Sequence, residues 1–189
     1  MAWLLLAAML ATPRIPHSKQ AQPQSAAPAP QLSAEEVREK VDAYLGSIDR
    51  PISAEAWRGL GPQAADVLEP IATDANAFPS RRARALEGLV AAAPDRAAKL
   101  VGPMARDEKE EIVVRVAAMR GAGQVLPPSK ALSELKPVLQ TARSPGLRGV
   151  AADVLSRRKD GCSAVRAQAA RETEQDRGGY TRALSRCAE

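Results

Sequence analysis

The feature that most constrains the fold of this chain is a repeat of 33 residues between about Ala65 and Arg158. Arg82, Arg115 and Arg148 stand in register at this spacing. A fixed period of about 20–50 residues is typical of stacked supersecondary units, each of which buries an apolar face against its neighbours. The sequence therefore predicts a helical repeat protein. Small or apolar residues follow each arginine three and four positions later: Ala85 and Leu86, Ala118 and Met119, and Ala151 and Ala152.

Residue usage favours helices over strands. One Phe, two Tyr and two Trp among 189 residues leave few of the aromatic side chains that are common in strands. Ala, Leu and Arg, which favour helices, are abundant. The length suits one domain. We therefore expect an all-α fold.

Each unit is predicted to be a pair of antiparallel helices, because the connections within the pairs are short. These connections are Asp74 to Phe78, Asp107-Glu108 and Arg143-Ser144. Gly121 to Pro128 is the longest break and separates the second unit from the third. The first helices are predicted at about 62–73, 94–106 and 129–142, and the second helices at about 79–93, 109–122 and 145–158.

Three prolines are predicted to lie inside the first helices. Pro70 and Pro103 are in register, and Pro137 is one residue out of step. A proline inside a helix removes one backbone hydrogen bond and bends the helix. The sequence therefore predicts a bend shared by the three units.

Here the pattern resembles the HEAT family of helical-hairpin repeats. The residues that carry the resemblance are Val114–Ala118 and Leu147–Ala152, with Pro103 and Asp107 upstream of the first. The resemblance implies a right-handed solenoid in residues 62–158, with three repeats at 62–93, 94–123 and 129–158. It also implies a hydrogen-bonded ladder of inter-helix Asp and second-helix Arg residues. Asp74 with Arg82 and Asp107 with Arg115 fit that ladder, whereas Gln140 replaces the acid that would accompany Arg148. The alternative is that these arginines are solvated helix residues.

The N-terminal segment resembles an export signal. Met1 to Ala11 is an apolar run, and a tract rich in Pro, Gln, Ala and Ser follows it to Pro30. The run is shorter than the roughly 20 residues that a membrane-spanning helix needs. No Lys or Arg precedes it, and a disordered tail is the alternative. We expect residues 1–30 to be a leader, no transmembrane span in the mature chain, and a periplasmic or secreted protein.

Residues 31–61 are predicted to form capping helices before the first repeat. Ser33 and Glu36 make a capping box, in which each side chain bonds the other residue's amide. One apolar stripe then follows at helical spacing. Its members are Val37, Val41, Leu45 and Ile48.

Residues 159–189 are predicted to form a C-terminal helical hairpin, with its turn at Gly178-Gly179. Cys162 and Cys187 lie at its two ends. Two cysteines in a chain with an export signal suggest a disulfide, which would stabilise the fold by roughly 3–4 kcal/mol. The alternative is two free thiols in a cytosolic protein.

The residue types argue against catalysis. The only histidine, His17, lies in the leader. The repeats therefore lack the commonest general base and the commonest metal ligand, and two cysteines alone do not complete a zinc site. Acidic pairs such as Glu35-Glu36 lie where acids favour the starts of helices. We expect no enzyme activity, no cofactor and no metal.

Two binding functions remain. Nucleic acid is disfavoured as a ligand, because the net positive charge beyond the leader is small. Of the 27 basic residues, Arg14 and Lys19 lie in the leader, which leaves 25 basic residues against 22 acidic ones. Glu87, Arg120 and Asp153 are also equivalent in the repeat and alternate in sign, which favours salt bridges between neighbours. We therefore expect a scaffold that binds another protein. A cytosolic HEAT-like binder of nucleic acid or a phosphate backbone, using Arg81-Arg82-Arg84 and Arg157-Arg158-Lys159, is the alternative.

Overall fold

A computed structural model describes residues 32–47 and 50–188 of the chain. These residues are mostly helical and contain no β-strand, which confirms the all-α prediction. The predicted leader, residues 1–30, and Ile48 lie outside the described residues. The α-helices are α1 (Ala34–Gly46), α2 (Ala54–Arg58), α3 (Ala65–Thr73), α4 (Pro79–Ala92), α5 (Pro94–Arg106), α6 (Ile112–Val125), α7 (Pro128–Thr141), α8 (Pro145–Leu155), α9 (Cys162–Ala169), α10 (Glu174–Arg177) and α11 (Thr181–Arg186).

The central helices pack as pairs. Helix α3 packs against α4, α5 against α6, and α7 against α8. The second helices also form a row, in which α6 contacts both α4 and α8. Among the first helices, α5 contacts α7. Ala85, Ala118 and Ala151 are fully buried, and their short side chains let neighbouring helices approach closely. The period of 33 is therefore a period of buried positions.

The N-terminal helices cover the first pair. The Ser33 amide donates to the Glu36 carboxylate at 2.7 Å, and the Glu36 amide donates to the Ser33 hydroxyl at 3.2 Å, which confirms the capping box. The stripe that includes Val37 and Val41 is buried. The rings of Trp57 of α2 and Tyr44 are nearly perpendicular, at 89°, with 5.1 Å between their centroids. An apolar cap therefore lies over the start of the paired helices.

The three prolines lie inside α3, α5 and α7, as predicted. Pro70, Pro103 and Pro137 are all exposed. Each missing N–H therefore lies on a helix side that faces water. The shared bend stays a prediction.

Arginines of the second helices bond the carbonyl groups at the ends of the first helices. Arg82 donates from Nε to the Ala72 carbonyl at 3.3 Å, and Arg115 donates in the same way to Ala105 at 3.1 Å. Arg148 donates from Nη1 to Ala142 at 2.8 Å. The last carbonyls of a helix lack intrahelical partners and carry the negative end of its dipole. The repeated arginines therefore cap the first helix of their own pair.

Two boundaries differ from the predictions. Helix α6 continues through Gly121 and Gly123 to Val125, so the predicted long break is wrong. A Cβ atom on Gly121 would lie 2.8 Å from Val90, and one on Gly123 would lie 2.6 Å from Val154. These glycines permit close packing inside a helix and do not end it. Helix α6 also begins at Ile112, three residues later than predicted, because residues 107–111 form a loop.

The C-terminal tail is a group of short helices held by a disulfide. Cys162 at the start of α9 is bonded to Cys187 after α11, which confirms the predicted pair. The break between helices lies at residues 170–173, and Gly178-Gly179 belongs to a short 3₁₀ turn. The predicted glycine turn is therefore wrong. Across residues 32–47 and 50–188, no helix has both the length and the apolar character needed to cross a membrane.

Candidate functional site

The row of second helices presents a continuous surface, which we call the second-helix face. It is defined by depressions along α4, α6 and α8. One depression lies between Trp57, Glu87 and Arg120, and the next lies between Arg120 and Val154. The largest, about 960 Å³, extends from Arg120 across α8 to the tail. Because these depressions adjoin, one extended ligand could contact all three second helices.

Arg120 lies at the centre of the second-helix face. Its side chain is exposed and lines all three depressions. Within the described part of the chain, no carboxylate lies within ion-pair distance of its guanidinium. Gln124, one helical turn further on, lines two of the same depressions and is also exposed. Arg120 can therefore accept a carboxylate without breaking an internal ion pair.

Asp153 does not pair with Arg120, although the alternating signs predicted salt bridges between neighbouring repeats. Its carboxylate lies 2.6 Å from Arg186 of α11 and 3.0 Å from Arg157 one turn along α8. Burial opposes ionisation of Asp153, but the hydrogen bonds from Arg186 and Arg157 outweigh it and lower its pKa. The acid therefore fastens the tail to α8, and the predicted pairing is wrong for this residue.

The predicted Asp–Arg ladder has different partners. Asp74 and Asp107 each accept a hydrogen bond from the amide two residues on, in their own loops. The fork of Arg82 instead bonds both oxygens of Glu110, at 2.7 and 2.5 Å. Arg82 and Arg115 are buried, at 6 and 7 % exposure, so they are not solvated helix residues. The arginines of the predicted ladder are thus structural, but their carboxylates come from elsewhere.

Arg148 makes the same kind of contact with Glu172 in the tail. The Nε group of Arg148 donates to Glu172 at 2.6 Å, and Tyr180 and Gln168 donate to the same carboxylate at 2.8 and 2.9 Å. The guanidinium of Arg148 is the main cause that lowers the pKa of Glu172 to about 2. Burial raises the pKa of Tyr180, and the neighbouring Glu172 carboxylate adds to that effect. The network joins α8 to the tail.

Sequence reasoning missed Glu110, Glu172 and Tyr180. The arginine and its carboxylate are 28 residues apart in one pair and 24 in the other, so no constant spacing reveals them. One local signal was present. Glu110 and Glu172 each directly precede the N-cap residue of a helix. The N-cap is Glu111 in the first case and Thr173 in the second.

The two basic clusters are largely engaged within the chain. Arg81 lies 2.6 Å from Asp42, and Arg84 donates to the carbonyls of Leu45 and Ser47 at the end of α1. Arg158 donates to the carbonyls of Gly123 and Leu126 at the end of α6, at 2.7 and 3.1 Å. These guanidinium groups satisfy internal acceptors, which leaves fewer of them for a phosphate backbone.

No grouping of three or more His, Cys, Asp or Glu side chains in the described ranges could hold a metal ion. Comparisons with protein-family models, curated proteins and solved structures give no significant match.

Proposed function

We propose that this chain is a non-catalytic, HEAT-like scaffold that binds another protein on its second-helix face. The observation that carries the proposal is Arg120, an exposed cation at the centre of that face that forms no ion pair with the described acidic residues. An arginine fork bonds a carboxylate with two parallel hydrogen bonds, and arginine is common where proteins meet. A partner with an acidic side chain opposite Arg120 suits this surface.

The proposed architecture is a right-handed solenoid of three helical pairs. Its support is the pairing of α3 with α4, α5 with α6 and α7 with α8, together with the contacts of α6 to both α4 and α8. In such stacks, the surface made by equivalent helices is extended and commonly binds proteins. The depressions of the second-helix face mix apolar with charged residues, which suits a protein segment.

The proposed location is the periplasm or the exterior of the cell. The disulfide between Cys162 and Cys187 supports it, because disulfides persist in oxidising compartments. The apolar run from Met1 to Ala11 followed by a Pro-rich tract supports export through a signal peptide. Two measurements test this proposal: the N-terminal sequence of the mature protein, and the compartment from which it is recovered.

A binder of nucleic acid or a phosphate backbone is the competing proposal. The engaged arginines of the two basic clusters favour the protein scaffold, since phosphate contacts need cations that are free to leave their partners. Fluorescence anisotropy with labelled duplex DNA at low salt separates the two. We expect no binding, whereas binding that weakens steeply with salt would favour the competing proposal.

The direct test compares capture of partners by three forms of the purified chain, immobilised and exposed to the envelope or culture fluid of its native host. The forms are the natural protein, Arg120→Glu, and Lys99→Glu as the control. Lys99 is exposed on α5, a first helix, so it receives the same change of charge away from the second-helix face. We expect Arg120→Glu to capture at least tenfold less of some partner protein than the natural chain does. Lys99→Glu should capture that protein in the natural amount. Equal capture by the two variants would refute this binding face.

A further inference from the structure

The carboxylates that hold Arg82 and Arg148 occupy one common position. Glu110 directly precedes the N-cap of α6, and Glu172 directly precedes the N-cap of α10. In each case the arginine belongs to an earlier helix, and the acid lies in the connection just before a later helix. Arg82 and Arg148 are therefore two rungs of a ladder that follows one edge of the helix stack.

Arg115 is the rung between them, and it differs from both. It is only 7 % exposed, and its Nε group donates to the Ala105 carbonyl just as Arg82 donates to Ala72. None of the described acidic residues forms an ion pair with its Nη groups. The Nη groups of Arg115 are not fully buried, so they stay open to a carboxylate from outside, which would bond the guanidinium and balance its charge.

The chain has a cation at the position where the ladder predicts the acidic partner of Arg115. Arg143 directly precedes Ser144, the N-cap of α8, so it corresponds to Glu110 and Glu172. Arg143 is exposed, and no described acid pairs with it. By register, the middle rung therefore carries a second cation at the position where each neighbouring rung carries a carboxylate.

We propose that Arg115, assisted by Arg143, binds a carboxylate group supplied from outside the described chain. The guanidinium fork of Arg115 would receive it as Arg82 receives Glu110, with two parallel hydrogen bonds. This site lies on the ladder edge of the stack and does not depend on the second-helix face. The carboxylate could come from an acidic peptide segment or from a small free acid.

A double-mutant cycle tests the site from within the protein. Arg143→Glu places a carboxylate at the register position of the missing acid, and we expect it to raise Tm by about 2–4 °C. An acid near the start of α8 also favours the helix dipole. The same substitution is therefore made in an Arg115→Met background, where the rung contribution must vanish and only the dipole contribution remains. An equal rise in both backgrounds would overturn the proposal.

Ligand titration tests the natural protein directly. Tm is measured in sodium acetate and in sodium chloride at equal ionic strength for the natural protein, Arg115→Met, Arg143→Glu and the control Lys136→Glu. Because acetate stabilises many proteins by exclusion from their surfaces, the compared quantity is the difference between variants. At about 0.3 M acetate, the natural protein and Lys136→Glu should gain about 2 °C more than the other two. Identical gains in all four would overturn the proposal.

The same assay identifies the source of the carboxylate. The probes are the amidated peptide Gly-Gly-Glu-Gly and its Gln counterpart. If the Glu peptide acts at a tenfold lower concentration than acetate, the site prefers a peptide segment. If it acts at the same concentration as acetate, a small free acid suffices. Equal stabilisation by the Gln peptide would show that no carboxylate is recognised and would overturn the proposal.

Discussion

Replacing Glu172 with glutamine tests the ion pair that joins α8 to the C-terminal tail. The Glu172 side chain is 3 % exposed, and that of Arg148 is 14 % exposed. Glutamine keeps the shape and an acceptor for Tyr180 but removes the charge, so Arg148 retains only the more distant carboxylate of Asp176, at 3.9 Å. Breaking a buried pair by removing one partner typically costs about 3–5 kcal/mol.

The pKa of Glu172 gives the same magnitude and predicts its pH dependence. A folded-state pKa of about 2, against an ordinary value of 4.5, corresponds to about 3 kcal/mol of stability at neutral pH. Because the folded pKa is depressed, this stability is fully present above pH 4.5 and is lost as the pH falls toward 2. At pH 3 about 1.4 kcal/mol of it should remain. The difference between the natural protein and Glu172→Gln should therefore shrink by about 2 kcal/mol between pH 7 and pH 3.

Urea denaturation followed by circular dichroism at these two pH values measures the free energies of unfolding. Glu174→Gln is the matched control, because Glu174 carries the same side chain two residues away and is exposed. We expect the control to remain within about 0.5 kcal/mol of the natural protein at both pH values. A cost below about 1 kcal/mol for Glu172→Gln at pH 7, or a cost that does not change with pH, would refute the reasoning.

Three further substitutions have defined outcomes. Changing Cys162 and Cys187 to alanine opens a loop with a sequence separation of 25, which should lower the free energy of unfolding by about 3.5 kcal/mol in urea titration; no loss would contradict the chain-entropy estimate. Gly121→Ala should cost about 1–3 kcal/mol because its new methyl group overpacks the core, whereas Gly46→Ala has open space and should cost nothing; similar costs would contradict the packing role of Gly121. Ser33→Ala removes the N-cap of α1 and should lower Tm by an amount equivalent to about 1 kcal/mol, and an unchanged Tm would show that the cap is dispensable.

The fold was largely predictable because its buried positions repeat. Ala85, Ala118 and Ala151 recur at the period of 33 and are all fully buried, on second helices that contact one another. The disulfide was predictable for a simpler reason. Cys162 and Cys187 are the two cysteines of the chain, so only one internal pairing exists.

Errors arose where one residue type serves two purposes. Gly121 and Gly123 predict a helix break, but in the structure they make room for Val90 and Val154. A sequence does not record which neighbour approaches a glycine, so the local signal is the same in both cases.

The candidate sites were less predictable, because they depend on pairing over long distances. The partner of Arg82 is a loop residue 28 positions away, and in the shorter loop of the next pair Arg143 has the equivalent register position before the N-cap. Arg120 was identified by its register, but the sequence predicted that its neighbours would neutralise it. Asp153 pairs instead with Arg157 and with Arg186 in the tail, and the position of the tail is not recorded in the local sequence.

Site-specific photo-crosslinking tests the central claim most directly, which is that the second-helix face binds a partner protein. A photoreactive phenylalanine analogue is placed at Gln124 on this face, or at Lys136 on α7 as a control, and the cells of the native host are irradiated. Both positions are exposed. We predict a discrete covalent adduct to another protein from position 124, absent from position 136 and lost when Arg120→Glu is added. Adducts of equal yield at both positions, or none at position 124, would contradict the account.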